Sequence, residues 1–155
     1  METNSGQRRP VPDVCRIFCR KVRGLAGNLS DLAVASSQYD ILLCSETLVS
    51  DMRHMSELLV PGFDRPVFMG QGRMSRARGM AAYVRYGYGA FRQRKFECGC
   101  CKMLFLGICG TRQNLYVYSL YSNSDLDNLI LDCLLESMAT VKAEDIVPLF
   151  YLWVI

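Results

Sequence analysis

The segment Tyr39-Asp-Ile-Leu-Leu-Cys44 is short, apolar without a break from Ile41 onward, and entered through a polar turn. That is the pattern of a β-strand covered on both faces, and a strand covered on both faces needs a packed layer on each side. What precedes it narrows the choice further. Cys15 to Val22 partly alternates polar Arg16 and Arg20 with apolar Ile17, Cys19 and Val22, then runs into Arg23-Gly24, which predicts a strand and a turn. Asn28 is placed to cap a helix whose Leu29, Leu32, Ala33 and Ser36 recur at three- and four-residue spacing. Strand, helix and buried strand form a βαβ unit with parallel strands and a right-handed crossover. Glu46 then falls at the carboxyl end of the second strand, where α/β sheets build their sites.

Beyond Pro61-Gly62 the chain turns β-rich. Val67–Met69, Gly79–Val84, Tyr86–Phe91, Met103–Cys109 and Leu115–Tyr121 are strand-like runs between short turns, and they predict an antiparallel meander. Gly87 and Gly89 between Tyr86 and Tyr88 mark a bend or hairpin rather than a phosphate loop. Met52 to Leu59 predicts a short helix or turn. Ser122-Asn123-Ser124 is suited to cap a long helix with Leu126, Ile130, Cys133, Leu134, Ser137, Met138 and Val141 on one face. Val147 to Ile155 predicts one more buried strand.

At 155 residues the chain has the size of one domain, and eight Tyr, seven Phe and one Trp make wholesale disorder costly. Disorder is expected only in a tail over residues 1–13, ahead of a domain over 14–155. The longest apolar run, Val147 to Ile155, is about half of the roughly 20 residues a membrane-spanning helix needs. The first residues carry no apolar signal core, so an intracellular protein, nuclear or cytoplasmic, is expected. Of the eight cysteines, Cys15, Cys19, Cys44, Cys109 and Cys133 sit in apolar runs and are expected to be reduced small hydrophobes. Cys98-Gly-Cys100-Cys101 falls short of a four-ligand zinc set, and the one histidine, His54, reads as an exposed loop residue.

Charge is segregated. Eight basic residues and no acidic one lie between Arg65 and Lys95, whereas six acids face Lys142 alone between Asp125 and Asp145. A phosphate-binding surface and a solvated strand face with alternating Arg both account for that count.

Four segments in order carry a resemblance: Val22-Arg-Gly-Leu25, Tyr39-Asp-Ile-Leu-Leu-Cys-Ser-Glu-Thr47, Arg78-Gly-Met-Ala-Ala-Tyr-Val-Arg85 and Leu115-Tyr-Val-Tyr-Ser-Leu-Tyr121. Together they resemble the endonuclease/exonuclease/phosphatase superfamily, and most of all the endonuclease domain of jockey-type non-LTR retrotransposons. The resemblance implies a layered α/β sandwich, here ending before the family's C-terminal strands. It implies a nuclease in which Mg²⁺, a hard ion suited to carboxylate oxygens, helps water attack a DNA phosphodiester. Glu46 would be the metal ligand, and Tyr121 would contact phosphate. Arg23, Arg76 and Arg78 would hold the nucleic-acid backbone. Tyr83, Tyr86 and Tyr88 would serve as base-stacking platforms or, as is commoner for strand aromatics, as core.

Two departures weigh against activity. Lys21 stands where the family has Asn, and its ammonium offers donors but no acceptor oxygen to a metal. The family's later Gly-Asp-x-Asn segment and its general-base His do not occur in this sequence. The resemblance therefore implies an endonuclease-like domain without activity of its own. The alternative is a non-catalytic nucleic-acid-binding or interaction module that uses the Arg65–Lys95 region. A final strand lacking its next neighbour would also leave a sheet edge open to self-association.

Overall fold

Ile17–Lys21 forms strand β1 and Ile41–Ser45 forms β2, joined by helix α1 over Leu29–Ser36. The two strands run parallel, with Ile17 opposite Ile41 and Lys21 opposite Ser45, as the βαβ pattern requires. The computed structural model describes residues 15–49, 57–69, 79–97, 102–109, 114–121, 128–143 and 149–154. The N-terminal tail, most of the Met52–Leu59 segment with His54, Arg76, Arg78, the Cys98–Cys101 cluster and the Ser122–Ser124 cap lie outside the described residues.

Strands β3 (Val67–Met69), β4 (Met80–Val84), β5 (Ala90–Arg92), β6 (Lys102–Ile108) and β7 (Leu115–Tyr121) follow, then helix α2 (Asn128–Ala143) and strand β8 (Leu149–Val154). They do not make the single meander that their turns suggest. One sheet has the order β1-β2-β4-β3 and the other β5-β6-β7-β8. The chain changes sheets between β4 and β5. All five residues of β4 are buried, so β4 needs neighbours along both edges and finds them in β2 and β3, antiparallel to each. The following Arg85–Gly89 turn, with Gly87 at φ 92° and Gly89 at φ 69°, carries the chain across by a backbone path that side chains other than glycine rarely adopt.

Three clusters of buried side chains show four layers. Leu32 of α1 packs with Leu42 and Cys44 of β2 and with Ala81 and Tyr83 of β4. The opposite faces of those strands, Ile41, Leu43, Met80 and Ala82, meet Leu104, Leu106 and Val117 of the second sheet. The far side of that sheet, Phe105, Tyr116 and Tyr118, packs on Leu134 and Val141 of α2. Each such aliphatic or aromatic side chain contributes about 1.5–3 kcal/mol on burial. The order is helix, sheet, sheet, helix, which is the layered α/β sandwich expected. Gly107 belongs to this packing, because a Cβ there would lie 2.4 Å from the ring of Phe91, its cross-strand partner.

Cys15, Cys19 and Cys44 are free thiols within these layers. Cys133 is disulfide-bonded, which corrects its reading as a reduced apolar residue. An apolar helical setting does not by itself keep a thiol from pairing with a second cysteine that the fold brings within bonding reach.

Candidate functional site

Two loops meet where β1 and β2 run out side by side. After β1, Val22 N–H donates to Ser45 O at 2.9 Å, Gly24 N–H to Glu46 O at 2.8 Å and Leu25 N–H to Thr47 O at 2.9 Å. The pairing of the parallel strands thus continues past their ends as a loop-to-loop clamp. Asn28 closes it from below. Its amide donates to the carbonyls of Val22 and Gly24, both at 2.8 Å, and it makes no side-chain cap bond to α1. Asn28 stands at the helix start as its sequence position predicts, but its side chain holds the loop and leaves the helix uncapped.

From the other side Thr47 N–H donates to Gly79 O at 3.0 Å. Gly79 has to be glycine. A Cβ there would come within 2.6 Å of Thr47 Oγ1 and 2.7 Å of the Met69 carbonyl.

The clamp holds backbone that would not stay put alone. Arg23 (φ 50°), Glu46 (φ 56°) and Leu48 (φ 55°) are all left-handed without being glycine, a conformation that costs of order 1–3 kcal/mol each and tends to mark functional sites. At Glu46 it breaks the strand's alternation and places the carboxylate in the interior, where it is 1% exposed. Lys21, at the end of β1, brings its Nζ to 2.6 Å from Glu46 Oε1. The Lys21 side chain is itself 40% exposed. Beside this pair Ser45 Oγ and Thr47 Oγ1 are buried with no hydrogen-bond partner among the described residues.

The donor set does not suit Mg²⁺. A divalent ion within about 4 Å of the ammonium would meet roughly 8 kcal/mol of repulsion at an effective dielectric of 20. Among the described residues there is no group of three His, Cys, Asp or Glu side chains that could hold a metal. One of the two carboxylate oxygens, Oε1, already accepts from Lys21.

Of the other expected site residues, Arg23 is exposed on the clamped loop next to Glu46. Tyr121 ends β7, and only its backbone is described. Two residues of the basic region are structural instead. Arg85 donates to the carbonyls of Ser36 and Tyr39, lies 3.6 Å from Asp40 Oδ1 and stacks over Phe63. Arg92 makes a bidentate pair with Glu97 at 2.8 and 2.7 Å and donates to Phe68 O. Charge count alone left both open to a phosphate-facing surface or a solvated strand face. The signal that they are not lies in neighbours distant in sequence. Arg65, Arg94 and Lys95 are exposed.

Tyr83 is fully buried with its hydroxyl donating to Leu58 O at 2.7 Å, and Tyr88 donates to Asp40 Oδ1 at 3.1 Å. Burial pushes both phenols up from their ordinary range. These two are core, and Tyr86 alone of the three is open to solvent, at 69%. A cavity of about 370 Å³ between Asp64, Arg65, Ala82, Val84 and Ala90 lies at the other end of β4. Val84 pairs with the first residue of β2 and Met80 with the last, so that cavity is separate from Glu46.

No protein-family model and no curated protein matches the sequence. Solved structures do. The endonuclease domain of TRAS1, a telomere-specific non-LTR retrotransposon, superposes with a TM-score of 0.55 at 14% identity, over 90% of this chain and 58% of that one. The Xenopus laevis APE2 catalytic domain gives 0.54 at 13% identity, over 87% and 57%. D. rerio TDP2 complexed with single-strand DNA product gives 0.51 at 15%, over 88% and 58%. The chain therefore spans somewhat under three fifths of the length of these structures. Among the described residues no helix is long and apolar enough to cross a membrane. With its two sheets packed between two helices and Glu46 at the end of a parallel strand, the chain has the endonuclease/exonuclease/phosphatase fold.

Proposed function

We propose that this chain is an endonuclease-like domain of retrotransposon type that engages DNA and does not itself hydrolyse it. One observation carries the reading: Glu46, at the position the nuclease resemblance assigns to a metal ligand, is buried and ion-paired to Lys21 at 2.6 Å. A carboxylate whose charge is already met by an ammonium is a poor ligand, and a catalytic group that cannot play its part costs factors of about 10² or more. Arg23 supplies a guanidinium at the rim of the clamped loops, and guanidinium groups recognise phosphate through charge-assisted hydrogen bonds. The structural likeness to DNA-processing proteins supports nucleic acid as the partner.

Plasmid nicking in Mg²⁺ and fluorescence polarisation with labelled DNA test both halves. Expected are no nicking and an affinity that falls steeply with salt, as phosphate contacts require. Mg²⁺-dependent nicking that disappears in Glu46→Ala would overturn the reading.

A second reading is favoured by the exposure of Arg65, Arg94 and Lys95: a nucleic-acid-binding module whose surface is the basic region and not the Glu46 end. Arg23→Ala weakens binding under the first reading. The pair Arg65→Ala and Arg94→Ala weakens it under the second.

A further inference from the structure

We propose that Lys21 is a tethered cation that takes the place of a divalent metal at Glu46, so that the carboxylate is held charged and positioned with no metal bound. The inference deepens the functional reading above, on which it rests for the identification of Glu46 with the nuclease centre.

A carboxylate that is 1% exposed must either be neutralised or face a cation, since an isolated buried charge is prohibitively costly. The fold supplies that cation from the chain. Register puts Lys21 opposite Ser45, one residue short of Glu46, and the left-handed turn at Glu46 swings the carboxylate to where the four-carbon stem delivers Nζ, 2.6 Å from Oε1. The three hydrogen bonds from Val22, Gly24 and Leu25 to residues 45–47 and the Asn28 bracket hold both strand ends in that relation. The ammonium is a compact point charge with three donors, so it can do for Glu46 what a bound ion would do structurally. It offers no open coordination position and no Lewis acidity, which separates keeping this loop pair folded from catalysis.

The inference predicts an exchange: remove the tethered charge and the site gains affinity for a free cation. Mn²⁺ binding is followed by loss of the free-ion electron paramagnetic resonance signal, with thermal denaturation in parallel. Wild-type protein is expected to show no Glu46-dependent binding. Lys21→Met should melt lower than wild type, bind Mn²⁺ at least about tenfold more tightly, and regain melting temperature as Mn²⁺ is added. Lys21→Met combined with Glu46→Gln should lose the gain. If Lys21→Met folds only with Mn²⁺ present, the exchange is supported outright. Lys21→Gln keeps a donor for Oε1 without the charge and carries the same test if the Met variant does not fold at all.

Wild-type Mn²⁺ binding abolished by Glu46→Gln would overturn the proposal, as would folded Lys21 variants with no gain. Nicking assays decide the functional reading separately. A chain that binds no metal but whose DNA affinity is unaffected by salt would sink that reading and leave this one standing.

Discussion

Single residues set the local chemistry, and one glycine and three thiols give direct expectations. Gly79→Ala forces a Cβ to within 2.7 Å of the Met69 backbone carbonyl, and backbone cannot swing aside as a flexible side chain does. A loss of about 2–3 kcal/mol is expected in urea unfolding, and a neutral result would show that the close approach of residues 47 and 79 is not tight. The thiols set an alkaline limit. Burial pushes Cys44 from 9.0 up to about 12, and Cys15 and Cys19 up to about 11. Folded thiols therefore keep protons that unfolded ones release, so their contribution to stability is complete below pH 9 and is lost as pH rises through 11 to 12. Urea midpoints should fall between about pH 8 and pH 10.5, and Cys44→Ala should flatten that fall. An unchanged slope would remove the thiols as its cause.

At the scale of elements, Arg85 joins three of them. From the end of β4 it reaches the last turn of α1 and the start of β2 through the Ser36 and Tyr39 carbonyls and Asp40. Arg85→Met should cost about 3 kcal/mol, because each hydrogen bond from a charged donor is worth roughly 1.5–3. Its effect on the salt dependence of DNA binding should be nil, since the guanidinium faces protein. Arg65→Ala should do the reverse, staying within about 0.5 kcal/mol of wild type in stability. Swapped outcomes would mean that Arg85 is a phosphate contact after all. The same comparison shows what a charge run conceals. Arg65 and Arg85 look alike in sequence, and only the packing around each separates a solvated cation from a brace.

At the scale of the whole molecule, one sheet edge among the described residues lacks the usual protection. Strand β1 carries Arg20 and Lys21, while β3 and β5 are three residues long. Strand β8, Leu-Phe-Tyr-Leu-Trp-Val, pairs with β7 on one side and has neither a charge nor a proline. Charged side chains, prolines and short length are what keep edge strands from pairing with other chains. Self-association is expected, and sedimentation velocity over a roughly hundredfold range of concentration should show it. A single monomeric species throughout would overturn that expectation.

The parallel β1–β2 pair, the helix between them and the position of Glu46 were all readable in the sequence, because hydrophobic period and turn residues act over a few neighbours. So was the helical face of Leu134, Ser137 and Val141, all three buried. The division of the β-rich middle into two sheets was not readable, because a turn specifies that the chain reverses and not which sheet receives the next strand. The bracketing role of Asn28, the bracing roles of Arg85 and Arg92 and the oxidation of Cys133 were equally hidden. Each depends on a polar or sulfur atom meeting a partner that only the packed layers bring within reach. Lys21 shows the boundary most clearly. Sequence placed a cation where a ligand would be expected, and the fold decided that its charge is spent on Glu46, since only side-by-side parallel strand ends bring those two atoms to 2.6 Å.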